Sequence, residues 1–275
     1  MGDCAGAILR LLSASEIPAA VQLSADAGWN QTGEDWRMLL DLAPEGCLAM
    51  EVDGELAATT TLLCYGRRLA WIGMVLTKLQ YRGRGLARHL LTQALVQADQ
   101  MGIETVKLDA TDQGTPLYEK LGFRSEQVVE RWSRPGSVDA PGLLSYAHSP
   151  EEWRGVDLQA FGADRSQLLE RLAHRNPPFS GVRSYLFTRP GRQTAYLGPC
   201  VSDTPEGART LIERALQTAG SSGWSWDLLP QNTSAVAIAR DLFFVPTRRL
   251  LRMVRGKDLR GKEDAIYAIA GFELG

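Results

Sequence analysis

Histidine is scarce in this chain of 275 residues, with three in all, and cysteine is nearly as rare, with four. His89, His148 and His174 are scattered, and Cys4, Cys47, Cys64 and Cys200 show no ligand-like pairing, so no metal site is expected. The same spacing argues against a disulfide framework and for free thiols in a reducing cytoplasm. No apolar run approaches the roughly 18 residues of a membrane span. The N-terminus carries Asp3 rather than a basic, cleavable leader, so neither a membrane nor a secreted location is expected. A net charge of −2 supplies no global reason to bind nucleic acid. What remains is a globular chain, 44% hydrophobic and long enough for two domains.

The most informative stretch runs from Met74 to Arg88. A β-rich apolar run, Leu69 to Thr77, leads into Arg82-Gly83-Arg84-Gly85 and then a long amphipathic helix. Two glycines between a strand and a helix free backbone N–H groups at the positive end of the helix dipole. Arg82, Arg84 and Arg88 add charge around them, so the combination predicts a pyrophosphate site. Two nucleotide loops fail on spacing. No G-x-x-x-x-G-K-[ST] string occurs, and Arg88 stands where the third glycine of G-x-G-x-x-G belongs.

Arg82-x-x-Gly85-x-Ala87 instead resembles the R/Q-x-x-G-x-G/A loop of the GNAT N-acyltransferase family. Downstream, Leu117-Tyr-Glu-Lys-Leu-Gly-Phe123 matches that family's L-Y-E-x-L-G-F segment at each fixed position. Gln80-x-x-Gly83-x-Gly85 fits the loop pattern in an overlapping register. The Arg82 register is preferred because Leu86 and Leu90 then continue as the buried helix face. The resemblance implies an acyl-CoA cofactor, acetyl-CoA first, bound by Val75, Leu76, Thr77, Arg82, Gly83, Arg84, Gly85, Leu86, Ala87 and Tyr118. It places the Tyr118 hydroxyl near the thioester sulfur. A phenol with a pKa near ~10 stays protonated at neutral pH and can serve as general acid. It further implies that the cofactor strand splays from its neighbour around Leu108 and Asp109, with the Val75 or Leu76 N–H receiving the oxyanion.

The general base is left open. Many relatives carry a carboxylate on the cofactor strand, and Trp71-Ile-Gly-Met74 has none. Asp109 and Asp112 are nearest by sequence, with Asp109 the first choice; desolvation by Trp29 or Trp36 is the alternative. In the same family the loop holding Trp29, Asn30 and Gln31 covers the acceptor pocket, and those side chains suit a polar or cationic small molecule.

Shifting the chain by 121 residues places Leu90 on Leu211, Leu108 on Leu229, Phe123 on Phe244 and Arg134 on Arg255, with no gap. The second half therefore looks like a second, degenerate GNAT fold. Its loop is Asp203-Thr-Pro-Glu206, with two carboxylates where diphosphate oxygens would lie, and Ala239 replaces the tyrosine. It keeps the Asn232-x-x-Ala235-x-x-Ile238 lead-in, whereas the first half has Thr111 at the asparagine position. The expected fold is α/β: two GNAT-like domains in tandem, each a mixed β-sheet flanked by helices. The catalytic domain spans 1–135, a linker 136–149 and the degenerate domain 150–275. Within the latter, Leu158 to His174 reads as one helix and Asp264 to Gly275 as a strand sealing the interface. The basic run Arg248, Arg249, Arg252, Arg255, Lys257, Arg260 and Lys262 reads as a solvated strand and loop, or as a face for an acidic partner or the cofactor's phosphates.

The function these readings imply is acetyl-CoA-dependent N-acyl transfer to a small-molecule primary amine, directly within a ternary complex. A protein or peptide amine is the alternative acceptor, and a non-catalytic acyl-CoA sensor the alternative class. The expected partners are the small amine and at most a second copy of the chain, as a homodimer.

Overall fold

The computed structural model describes residues 6–136, 150–217 and 223–275; most of the expected linker falls outside them. The first half runs β1 (Ala7–Leu11), α1 (Ile17–Asp26), α2 (Gly33–Leu42), β2 (Cys47–Val52), β3 (Glu55–Tyr65), β4 (Leu69–Thr77), α3 (Leu86–Gln100), β5 (Thr105–Ala110), α4 (Thr115–Lys120) and β6 (Arg124–Arg134). Local chemistry sets several of these boundaries. Thr32 caps α2 by accepting from the Asp35 N–H (3.3 Å), while Asp35 accepts from the Thr32 N–H (2.8 Å). Asp53 and Gly54 join β2 to β3 with φ of 52° and 78°, as a two-residue hairpin turn requires.

The second half runs α5 (Pro150–Phe161), α6 (Ser166–Arg175), β7 (Phe179–Gly181), β8 (Ser184–Arg189), β9 (Ala195–Ser202), α7 (Pro205–Leu216), β10 (Trp224–Leu228), α8 (Thr233–Asp241), β11 (Val245–Gly256) and β12 (Ile266–Ala268). Two expectations need correction here. The helix read from Leu158 to His174 is two helices, broken at Gly162 (φ 85°), and the break lets Arg165 turn back onto Asp157 (2.8 Å) inside the core. The closing run is a strand only at 266–268. Beyond it the chain turns, with Leu274 N–H bonded to Gly271 O (3.1 Å) and Gly275 N–H to the same carbonyl (2.9 Å).

Among the described residues, twelve strands form one sheet, ordered β1-β2-β3-β4-β5-β11-β6-β10-β9-β8-β7, with β12 beside β9. The halves have exchanged one strand each. β11 lies antiparallel between β5 and β6, and β6 lies antiparallel between β11 and β10. The division near residue 135 therefore holds along the chain and not across the sheet. Val129 faces Leu250, the residue 121 positions later, so the approximate twofold axis passes through that pair. Matching ion pairs flank it. Arg131 holds Asp227 through two 2.6 Å bonds, and Arg252 holds Asp109 at 2.9 and 3.0 Å. The two arginines are 121 positions apart but the two aspartates only 118, so the repeat slips by three residues at β5 and β10.

One core of buried side chains is shared by both halves, running from Leu23 and Trp36 through Trp71 to Tyr185 and Ile269. On the first half's other side α3 covers a second core, and α7 and α8 cover a third in the second half. The shared core encloses charge. Asp35 accepts from Arg189 (2.9 Å) and Arg175 (3.1 Å), and Arg189 also binds Glu273 (2.8 Å). Backbone ties cross the same interface: Tyr65 donates to Leu274 O (2.5 Å) and Trp71 to Phe272 O (2.9 Å). The closing segment does seal the two halves, though as a turn.

Asp35→Ala would leave Arg189 and Arg175 buried without their shared carboxylate. The unfolding free energy should fall by about 3–5 kcal/mol in denaturant titration. Burial alone would raise the Asp35 carboxyl, but Arg189, the Thr32 N–H and Arg175 outweigh it and hold it below its ordinary value. Its contribution is therefore complete above pH ~4 and is lost as pH falls through the depressed native pKa. Stability measured at pH 7 and pH 3 should differ less in Asp35→Ala than in the parent.

Candidate active site

β4 and β5 run parallel but pair only from Leu69–Thr105 to Trp71–Lys107; beyond that the two strands part. On its other side β4 bulges. Thr61 pairs with Gly73 and Thr59 with Leu76, leaving Met74 and Val75 opposite Thr60, with Met74 at φ 49°. The Thr59 hydroxyl donates to Met74 O (2.8 Å) and pins the bulge. The chain then enters the loop, where Gly83 and Gly85 take φ of 79° and 83°, values a β-carbon would strain. Gly85 caps α3 without a side-chain bond, so the first N–H groups of the helix remain for a ligand. Leu86 is fully buried, and this anchors the helix start in the Arg82 register.

A groove follows from this geometry. Val75, Leu76 and Thr77 line its inner stretch, and Arg82, Gly83, Gly85, Leu86, Ala87 and Arg88 its mouth. Arg84 is not among the groove residues; its guanidinium lies 5.6 Å from the centre of the Tyr81 ring. An open helix N-terminus, positive-φ glycines and a parted strand pair together fit the pyrophosphate and amide arm of an acyl-CoA.

Tyr118 stands at the inner end, on α4. It lines both the groove and a second cavity behind it, and burial pushes its hydroxyl up to about 12. The group is thus a proton donor across the physiological range. Gly114 makes room for the ring: a β-carbon there would lie 2.9 Å from Tyr118 Cε2. Thr111 does the work of the missing asparagine, since its hydroxyl accepts from the Gly114 N–H (3.2 Å) just as Asn232 Oδ1 accepts from Ala235 N–H (3.0 Å).

The cavity behind Tyr118 encloses about 100 Å³ and is walled by both halves. Trp29 and Gln31 line it. Asn30 does not. Its amide is spent on the second half, donating to Thr194 O (2.9 Å) and accepting from Gln193 N–H (2.6 Å), so it clamps the halves together. Asp109 borders the cavity, but both its oxygens are held by Arg252 in the ion pair that Asp227 repeats beside the degenerate half. Neither Asp109 oxygen is left unpaired, and burial raises its pKa. Asp112 is exposed and outside the cavity, and Trp36 is core, donating to Ser24 Oγ (3.0 Å).

The basic run divides: on β11, in mid-sheet, Arg252 is buried, Arg255 grips Asp99 (2.8 Å) and Arg249 is exposed, while just beyond the strand the exposed Lys257 meets Glu104 (3.0 Å). Among the cavity residues that sequence reasoning missed are Arg131 on β6 and Arg248 and Leu250 on β11, brought there by the exchange, and Phe272 and Glu273 in the turn after β12. Arg248 sits 5.9 Å from the ring centres of both Trp29 and Phe272, and burial lowers its pKa. The segment 203–206 behaves differently from its counterpart. Thr204 caps α7 by accepting from Gly207 N–H (3.1 Å), and Asp203 pairs with Arg183, so that helix start is occupied from within.

Residues 17–123 match the Acetyltransferase (GNAT) family, and residues 154–268 match the Acetyltransferase (GNAT) domain. The uncharacterized N-acetyltransferase YitH of Bacillus subtilis is 30% identical over 167 residues, which is 58% of this chain and 58% of that protein. A crystal structure of a candidate acetyltransferase from Pyrococcus horikoshii superposes with a TM-score of 0.83 at 24% identity, covering 98% of this chain and 96% of that one. A GCN5-related N-acetyltransferase from Sphaerobacter thermophilus gives 0.68 at 16% identity, covering 93% and 98%. At these identities the two structures establish the shared fold, across both halves.

Gly85→Glu would force a side chain onto a left-handed cap and set a carboxylate at the helix start. Acetyl-CoA affinity, read by calorimetric titration, should drop by at least about 100-fold, roughly 2.7 kcal/mol, while the melting curve keeps a single cooperative transition.

Proposed function

Since this chain belongs to the GNAT family, with two of its domains in tandem, we propose that it is an acetyl-CoA-dependent N-acetyltransferase acting on a small-molecule primary amine. The observation that carries the reading is the position of Tyr118, which borders both the groove and the cavity. Bound acetyl-CoA would supply an acyl group activated as a thioester. The α3 N-terminus with Arg82 and Arg88 would hold the pyrophosphate, and the parted edge of β4 the amide arm. Backbone N–H at Val75 or Leu76 would face the acyl oxygen as charge develops there. The Tyr118 hydroxyl would protonate the departing sulfur. Trp29 and Phe272, on opposite halves, would exclude water from the acceptor.

The cavity's place behind Tyr118, between the two halves, favours a small acceptor. The protein-amine alternative has less basic surface to dock on, because Arg252 is buried and Arg255 and Lys257 are paired with Asp99 and Glu104. The chemistry read from the groove agrees with the N-acetyltransferase name of the Bacillus relative, of which the match spans 58%. In the same reading the protein works in the cytoplasm, where Cys47, Cys64 and Cys200, free in the structure, would stay reduced.

Titration with acetyl-CoA should find one site per chain, and some primary amine in a broad panel should release free CoA thiol. Tyr118→Phe should lower kcat by about 10²–10³-fold with acetyl-CoA affinity unchanged. Full retention of kcat in that variant, or no thiol release from any amine by the parent, would overturn the proposal.

A further inference from the structure

The first half brings one carboxylate to the cavity, Asp109, with both oxygens bound to Arg252; the second half brings another. Glu273 follows β12 in the closing turn and lines the cavity together with Met74, Val75 and Tyr118. It is 3% exposed. One carboxylate oxygen accepts from Arg189 (2.8 Å); the other, Oε2, has no hydrogen-bond partner. A buried anionic oxygen left unpaired is costly, and in a substrate cavity that cost is met by a ligand that donates. Gln31 repeats the pattern, with 4% exposure and an unpaired Oε1 on the same cavity wall. Two unpaired acceptors in one small cavity suit a group rich in N–H, as an alkylammonium is.

Placement against the cofactor strand supports the same assignment. Gly73 lies where β4 parts from β5, and a β-carbon on it would fall 2.8 Å from Glu273 O and 3.0 Å from its Cα. The absent side chain at Gly73 is thus the space that the closing turn fills. The turn is fixed there by Arg189, which donates to Ala270 O (3.0 Å) as well as to Glu273 and Asp35. The charged and titratable groups around the carboxylate are Arg189 on β8, Arg131 on β6, Tyr196 on β9 and Tyr65 on β3, with Asp109 and Arg248 elsewhere on the cavity wall. Burial pushes both tyrosine hydroxyls up, and Asp109 is bound to Arg252.

We propose that Glu273, supplied by the degenerate half, is the general base of the transferase and receives, with Gln31, the ammonium of a primary alkylamine acceptor. This rests on the transferase reading above. The ammonium gives one proton to Glu273 Oε2, and its freed electron pair forms the C–N bond to the acyl carbon. The C–S bond breaks, the sulfur takes a proton from Tyr118, and the second nitrogen proton returns to the tyrosinate. Glu273 then releases its proton to solvent, so one amide, one thiol and one proton result.

Glu273→Gln keeps an acceptor for Arg189 and removes only the base. With an alkylamine that is cationic at the assay pH, kcat/KM should fall by about 10²–10³-fold while acetyl-CoA affinity holds. The variant's rate should keep rising about tenfold per pH unit up to the acceptor's pKa, because only neutral amine can react, whereas the parent levels off earlier. With a hydrazide, already neutral at the assay pH, the loss should shrink below about tenfold. A merely structural role would cost both acceptors equally, and that result, like unchanged kinetics, would overturn the assignment. If Glu273→Gln fails to bind acetyl-CoA, the same comparison is made with Glu273→Asp. There, a loss confined to the alkylamine supports the base, and an equal loss overturns it. A parent enzyme silent with every amine overturns the transferase reading and this one together; an active parent matched by its variant overturns this one alone.

Discussion

The pairing of β6 with β11 is the contact on which everything else in the molecule depends. These strands belong to different halves of the chain and lie side by side in mid-sheet, each completing the sheet of the half it did not come from. Removing either would expose a row of unpaired backbone groups on both sides at once. The exchange also helps to wall the cavity behind Tyr118, for Arg248 and Leu250 enter it on β11 and Arg131 on β6.

The register of this pairing is guarded by charge. Arg131–Asp227 and Arg252–Asp109 lie at mirrored places about the Val129–Leu250 pair, all four side chains largely withdrawn from water. Such pairs return little net stability, because desolvation offsets their attraction. Their effect falls instead on the alternatives. Sliding β11 by one residue would turn Arg252 to the opposite face and strand Asp109 without a partner. The mirrored geometry also separates structure from chemistry: a bridge repeated beside the half that lacks the tyrosine serves the sheet.

How much of this was legible in the sequence depends on how local each cause is. The loop at 82–87 and the segment at 117–123 were readable because a positive-φ turn and a short helix are each written within a few residues. The repeat was readable because Leu90, Phe123 and Arg134 recur at one spacing. The strand exchange was not, since alternation shows that 245–256 is a strand and says nothing about its neighbours. Arg252 and Arg255 looked like solvated charge for that reason, their carboxylates lying more than 140 positions upstream at Asp109 and Asp99. Asn30 misled in a similar way. A polar residue in a loop over a pocket suggests a substrate contact, yet its partner is a backbone segment 164 residues away.

The shared sheet also dictates an order of events at the ribosome. The first half emerges with its loop, its tyrosine and its cofactor strand already made, but the place beside β5 stays empty until residues 245–256 arrive. Long-range pairing of this kind is closed late and slowly. Neither half can therefore close its sheet without a strand from the other. The second half, which has Ala239 at the tyrosine position, thus supplies part of the wall of the cavity beside Tyr118.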